Sequence, residues 1–221
     1  MYENLLCLPY FQGMSKDNIT AILDKVKLEY HNHGDKETLC KKGDECRSFI
    51  LVTKGEIVSH AYAPDGTYSI EEEHKAPYAI VPYSMFGYST AYTRSYSTKG
   101  TCTTLTIGKE YFFSEFTKQD IFTLNFMNLI SRRVQLLNDA IWSYTPTTIE
   151  GRIITFIAKR CETTHGCKKV NIKMERLAAL LCETRLNISR ALNNLQGNGL
   201  IVLSRKEIYI PEFEKLIPHI R

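Results

Sequence analysis

The chain has 221 residues and a formal net charge of +4, long enough for two modest domains with their own cores. No stretch approaches the ~18 uninterrupted apolar residues of a membrane span, and the start Met1-Tyr-Glu-Asn4 has neither the basic nor the apolar segment of a signal peptide, so the expectation is a cytoplasmic protein with no membrane partner. The seven cysteines (Cys7, Cys40, Cys46, Cys102, Cys161, Cys167, Cys182) are odd in number and irregularly spaced, without Cys-x-x-Cys, which in a reducing compartment points to free thiols.

Residues 1–28 read as helical, with apolar residues at Ile19, Ile22, Leu23 and Val26. Ser15 stands where an N-cap would, with Asn18 at the capping-box partner position. From about 28 to 108 short β-type runs follow, among them Ser48-Phe-Ile-Leu-Val52, Glu56-Ile-Val-Ser-His60, Tyr68-Ser-Ile70 and Thr103-Thr-Leu-Thr-Ile107. Turn signals separate them, the clearest being Pro64-Asp65-Gly66. Many short strands at near-regular spacing predict a sandwich or jelly-roll barrel. Within it, Glu71-Glu72-Glu73-His74 is read as a solvated strand edge, not a metal site, because consecutive strand residues point to alternate faces. His31, His33, His60 and His74 are read as surface histidines, and no metal is expected.

A long helix is predicted over about 118–143. Met127, Ile130, Val134, Leu137 and Ile141 recur with gaps of 3, 4, 3 and 4, the seam of a two-stranded coiled coil. A second stripe, Phe122, Phe126, Leu129 and Leu136, lies on a neighbouring face, suited to packing on the β-domain. Thr145-Pro146-Thr147-Thr148 then breaks the helix as a hinge, and a helix over Glu150–Arg160 opens the last third. The charge is concentrated there: residues 146–221 carry 13 Lys/Arg against 7 Asp/Glu, net +6, whereas residues 1–145 are net −2. A basic third is the electrostatic footprint of a nucleic-acid-binding module.

The pattern within that third is specific. Ile172–Leu181 places Leu177, Leu180 and Leu181 on one helical face, and after the break Cys182-Glu183-Thr184 a second helix, Arg185–Gln196, places Ile188, Ala191, Leu192 and Leu195 at i, i+3, i+4, i+7. Thr184 can cap it, and Gly197 or Gly199 can end it. Two β runs, Leu200–Leu203 and Ile208–Ile210, flank the charged turn Ser204-Arg-Lys-Glu207. Helix, turn, helix and hairpin make a winged helix-turn-helix, which sets its second helix in the major groove of double-stranded DNA. Arg185, Leu186, Asn187, Ser189 and Arg190 are the candidates for base readout: arginine forks onto guanine, asparagine onto adenine. Thr184, Lys168, Lys169, Lys173, Arg205 and Lys206 are the candidates for phosphate contact.

An enzymatic reading finds no Gly-rich phosphate loop, no His-Glu-x-x-His and no Gly-x-Ser-x-Gly. A thiol switch at Cys161 and Cys167 remains an alternative, as does a cyclic-nucleotide-type regulatory module that does not bind DNA.

Barrel, long helix, hinge and winged helix-turn-helix in this order resemble the CRP/FNR family of bacterial transcription regulators. The pieces that carry the resemblance are Lys41-Lys-Gly-Asp44, Val52-Thr-Lys-Gly-Glu56, Ser131-Arg-Arg-Val-Gln135, Glu150-Gly-Arg-Ile153 and Leu177–Ile201. It implies an α+β chain with a sensor jelly-roll domain (1–116), a dimerisation helix and hinge (117–145) and a DNA-binding domain (146–221). It also implies a homodimer through the Met127–Ile141 seam, a two-fold operator, RNA polymerase as a partner, and a small-molecule or redox effector, with thiol- or haem-based redox or nitric-oxide sensing as the alternative. Where cyclic-AMP binders have Gly-Glu-Leu and Arg-Ser, this chain has Ile80-Val81-Pro82 and Tyr92-Thr93, with Arg94-Ser95 two positions late. The adenine-touching Thr-Ser is Leu137-Asn138. The resemblance therefore implies an effector other than cyclic AMP, in a pocket drawn from Val81, Tyr83, Met85, Tyr92, Arg94 and Asn138, and names no cofactor. The glutamate that requires cytosine in the family's common half-site is replaced by Leu186, and the usual glycine of the turn by Cys182.

Overall fold

The computed structural model describes residues 5–220 and has two compact units. The first comprises residues up to Val58 together with His74–Trp142. Strand β1 (Leu28–His33) runs antiparallel to β6 (Ser95–Gly108), in register from Leu28 opposite Ile107 to His33 opposite Cys102. β6 also pairs with β2 (Thr38–Cys40), and β3 (Ser48–Tyr62) pairs with β5 (Tyr78–Ile80). The strands alternate in burial, turning Phe49, Leu51, Ile57, Tyr96, Leu105 and Ile107 into one core. This is the barrel-like antiparallel domain that the regular spacing of short β runs predicts.

Helices close that core. Helix α1 (Lys16–Leu23) starts where Ser15 accepts a hydrogen bond from the Asn18 amide at 3.1 Å, and it buries Ile19, Ile22 and Leu23. The segment before it holds a 3₁₀ turn, Pro9–Phe11, instead of a continuous helix. Proline at that position donates no amide hydrogen bond; residues 1–4 lie outside the described residues. Helix α2 (Lys109–Ser114), a 3₁₀ turn at Phe116–Lys118 and the start of α3 (Asp120–Trp142) add Phe112, Phe116 and Phe122 to an aromatic cluster with Phe11 and Phe49. Beyond Phe122, α3 buries no further residue. Met127, Val134, Leu137 and Ile141 are 50–76% exposed, and Ile130 is half-buried. Leu136, read as part of the stripe facing the barrel, is also exposed.

The second unit comprises Ser59–Glu73 and the described residues from Ser143 onward. Its core joins helix α4 (Ile149–Ala158), α5 (Met174–Leu180) and α6 (Arg185–Gly197) through Ile153, Ile157, Leu177, Ile188, Leu192 and Leu195. Thr148 caps α4 by accepting from the Gly151 amide. A sheet covers the helices: β4 (Tyr68–Lys75) pairs with β7 (Lys168–Ile172) from Tyr68 opposite Ile172 to Glu72 opposite Lys168, β7 pairs with β9 (Glu207–Ile210), and β9 with β8 (Val202–Ser204). The β8–β9 hairpin turns on Arg205-Lys206, with Lys206 at φ 65°.

Two expectations are corrected here. Strand β7 occupies the residues just before α5, so Ile172 ends a strand and the helix begins at Met174. Glu71-Glu72-Glu73-His74 is not a solvated edge. Glu72 is fully buried, and His74 is buried and stacked on Tyr78 at 4.3 Å. Glu72 ion-pairs with Lys168, Oε2 to Nζ 2.9 Å, both side chains having no exposed surface. The same carboxylate accepts the amides of Glu162 (2.7 Å) and Thr163 (3.3 Å), and Lys168 Nζ donates to the Thr163 hydroxyl at 2.8 Å. These additional bonds satisfy charges whose burial is otherwise strongly unfavourable.

Candidate nucleic-acid interface

Helices α5 and α6 are joined by a turn that fixes how α6 stands out from the unit. Cys182 takes φ 53°, the left-handed region where glycine is the easier residue. The Glu183 amide then bonds back to the Ala178 carbonyl at 2.9 Å. Thr184 is extended, and its hydroxyl oxygen accepts from the Asn187 amide at 3.1 Å, capping α6. Its hydroxyl hydrogen remains to donate. At the far end Gly199 adopts φ 70° while the Leu200 amide reaches the Leu195 carbonyl at 3.1 Å, which satisfies the last turn. Of the two glycines proposed as terminators, Gly199 takes the left-handed conformation.

The inner face of α6 is buried, and its outer face holds the expected readout residues. Arg185, Leu186, Arg190 and Asn193 are exposed, Asn187 and Ser189 half-buried. Arg190 has no hydrogen-bond or ion-pair partner among the described residues. Arg185 makes an exposed ion pair with Glu175 of α5, Nε to Oε1 3.3 Å. Such a pair contributes at most about 1 kcal/mol, so the guanidinium is readily released. A cleft of about 440 Å³ lies between α6 and the β8–β9 hairpin, bordered by Lys173, Arg185, Arg205 and Lys206.

The basic residues expected on phosphates divide by burial. Lys173, Arg205 and Lys206 are exposed. Lys169 is half-buried with its ammonium on Glu207 at 2.8 Å, and this hydrogen bond holds its pKa above the ordinary lysine value. Lys168 is corrected: it is fully buried on Glu72, and its ammonium is turned into the unit, away from any surface phosphate.

Sequence reasoning passed over a second set of residues. Glu183 receives Arg152 of α4 on Oε1 and the side-chain amide of Asn187 on Oε2, the latter at 3.1 Å. Arg152 also donates to the Leu181 carbonyl at 3.4 Å. The Asn187 and Arg152 hydrogen bonds together hold the Glu183 carboxyl below the usual carboxylate range. Asn194 is tied in the same way to Glu150 at 3.1 Å. The i, i+4 spacing of Glu183 and Asn187 was a readable signal; the 31-residue separation from Arg152 was not.

In the first unit, Val81, Met85 and Tyr92 belong to the hydrophobic core, Arg94 is buried, Tyr83 is at the surface, and Asn138 is on the exposed second half of α3. The Tyr92 phenol has its pKa driven up, first by burial and then by its hydrogen bond with Cys46, whose own thiol is pushed up by burial. A buried thiol raised in this way is a poor thiolate. His33 bonds Glu37 (2.7 Å) and Thr104 (2.9 Å). Cys7, Cys46, Cys102 and Cys182 form no disulfide among the described residues, and no cluster of metal-ligating side chains occurs among the described residues. No helix is long and apolar enough to cross a membrane.

Residues 151–218 match the Crp-like helix-turn-helix domain. The fold is similar to that of a transcriptional regulator of the Crp/Fnr family from Eubacterium rectale, at 18% identity over 97% of this chain and 98% of that one, with a TM-score of 0.53. It is also similar to the catabolite activator protein of Thermus thermophilus, at 16% identity over 97% and 100%, with a TM-score of 0.50. The N-terminal domain of a transcriptional regulator from Streptomyces coelicolor matches 66% of this chain and 99% of its own length at 19% identity, TM-score 0.50. No curated protein matches the chain by sequence.

Proposed function

We propose that the chain, whose residues 151–218 match the Crp-like helix-turn-helix domain, is a DNA-binding transcription regulator of the CRP/FNR family, a cytoplasmic homodimer that binds a two-fold operator under the control of a signal other than cyclic AMP. The observation that carries the reading is the outer face of α6. Arg185 and Arg190 stand exposed there, on a helix whose other face is locked into the core, beside exposed Lys173, Arg205 and Lys206. Guanine readout by an arginine fork needs this combination of a rigid base and a free tip. Thr184, Lys169 and the three exposed basic residues contact phosphates and set affinity without reading sequence.

The dimer is supported by the row Met127, Val134, Leu137 and Ile141, large apolar side chains left 50–76% exposed on one long helix. A second copy of α3 covers them at coiled-coil spacing. RNA polymerase is the partner through which such a regulator acts. The signal enters at the barrel, as a small molecule or a redox change. Cyclic AMP fits poorly, because Ile80-Val81-Pro82 supplies no ribose carboxylate and Tyr92-Thr93 no phosphate-binding arginine. Calorimetry with cyclic AMP is expected to show no saturable micromolar site; finding one would reverse this point.

Selection of binding sites from random duplex DNA by the full chain tests the function. A two-fold site with guanine in each half is expected. Recovery of unrelated sequences, or of none, would contradict operator binding.

A further inference from the structure

The geometry points to Glu183 as a positioning residue that decides which base Asn187 reads, by fixing which end of the Asn187 amide faces the groove. The inference rests on the reading of α6 as the recognition helix.

A carboxylate only accepts hydrogen bonds, and an arginine only donates them. Glu183 has one oxygen on Arg152 and the other on Asn187 Nδ2 at 3.1 Å. Turning the Asn187 amide over would set its carbonyl oxygen against the Glu183 carboxylate, two acceptors in contact, so Nδ2 stays on Glu183. The backbone beneath is held as well: the Asn187 amide bonds to the Thr184 hydroxyl at 3.1 Å and the Glu183 amide to the Ala178 carbonyl at 2.9 Å. Arg152 comes from α4, so a helix outside the helix-turn-helix takes part in setting the amide.

What remains for DNA is the carbonyl oxygen of Asn187 and its second N–H, one acceptor and one donor. Adenine offers the complement in the major groove, N6–H₂ to give and N7 to receive, whereas guanine offers two acceptors, N7 and O6. Asn187 held by Glu183 therefore selects adenine. The arrangement also dictates how to change the selection. In Glu183→Gln the introduced amide must keep its oxygen on Arg152, which can only donate. Its NH₂ then faces Asn187, and Asn187 turns over to accept through Oδ1. Two N–H donors now face the groove, and the preferred base becomes guanine.

The test is binding-site selection with the full chain and three variants, each checked by thermal melting. Wild type is expected to enrich adenine about tenfold or more at one position in each half-site. Asn187→Ala should bring that position to within about twofold of uniform, and Glu183→Gln should move it from adenine to guanine. Glu183→Ala, which frees the amide, should lose adenine without gaining guanine, and it carries the test if Glu183→Gln melts too low to assay. A folded Glu183→Gln or Glu183→Ala that still selects adenine overturns the inference, as does an Asn187→Ala profile identical to wild type. Either result would leave the two-fold site and its guanines standing. Failure of wild type to select any two-fold site would instead overturn the reading of α6 itself, and this inference with it.

Discussion

Lys168 and Arg185 are two cations of the same compact unit, each paired with a glutamate, and they differ in what surrounds the pair. Lys168 and Glu72 have no exposed surface and share their remaining hydrogen bonds with the 162–163 backbone and Thr163. Arg185 and Glu175 are 69% and 62% exposed. By charge alone both belong to the basic third of the chain and both suit DNA. Burial separates them: a desolvated pair is locked because neither ion can be left alone, while a solvated pair exchanges its partner at small cost. Local net charge therefore overstates the DNA-binding surface by each cation whose counter-ion is inside.

The largest expected effect is on the buried side. Glu72→Ala strands the Lys168 ammonium in the core and should cost about 3–5 kcal/mol, measured by urea unfolding, whereas Glu72→Ala combined with Lys168→Met should recover most of the loss. A loss below about 1 kcal/mol in the single variant would place the pair with ordinary surface pairs and end the contrast. Val134→Glu puts two charges face to face in the proposed α3 seam, at several kcal/mol. The variant should sediment as a monomer at micromolar concentration, and a stable dimer would relocate the interface. Arg185→Ala, on the solvated side, should leave the melting temperature nearly unchanged and remove about 1–3 kcal/mol of guanine discrimination, read by competition binding. Unchanged discrimination would pass that role to Arg190. The smallest effect is Lys206→Ala, which should lower the slope of log affinity against log salt by about 1 with the sequence preference intact. A changed preference would make Lys206 a base contact.

Local signals carried much of this molecule. Ser15 and Thr184 cap the helices they were expected to cap, because a cap needs only the next three residues. The periodicity of α6 and the Arg205-Lys206 turn were visible for the same reason. What stayed hidden depends on partners far away in the chain. Strand β7 follows no strong alternation in its sequence, and it exists because it lies between β4 and β9 and pairs with both. The burial of Lys168 depends on Glu72, and the Glu183 carboxylate that bonds Asn187 is itself bonded by Arg152, 31 residues away. Glu71-Glu72-Glu73 reads as hydrophilic until pairing places Glu72 inside, since strand register, not composition, decides which of three consecutive residues is covered. In the barrel, Val81, Met85 and Tyr92 are ordinary core residues by burial, and nothing in their sequence context distinguishes a core position from a ligand contact.

The claim at the centre is that two copies of this chain set two α6 helices on one DNA duplex. It is tested most directly by the mass, in sedimentation, of the complex formed on the selected duplex and on its isolated half. Two protomers on the full site, with the half-site bound far more weakly, is the expected result. A single protomer bound with equal affinity to both duplexes would contradict it.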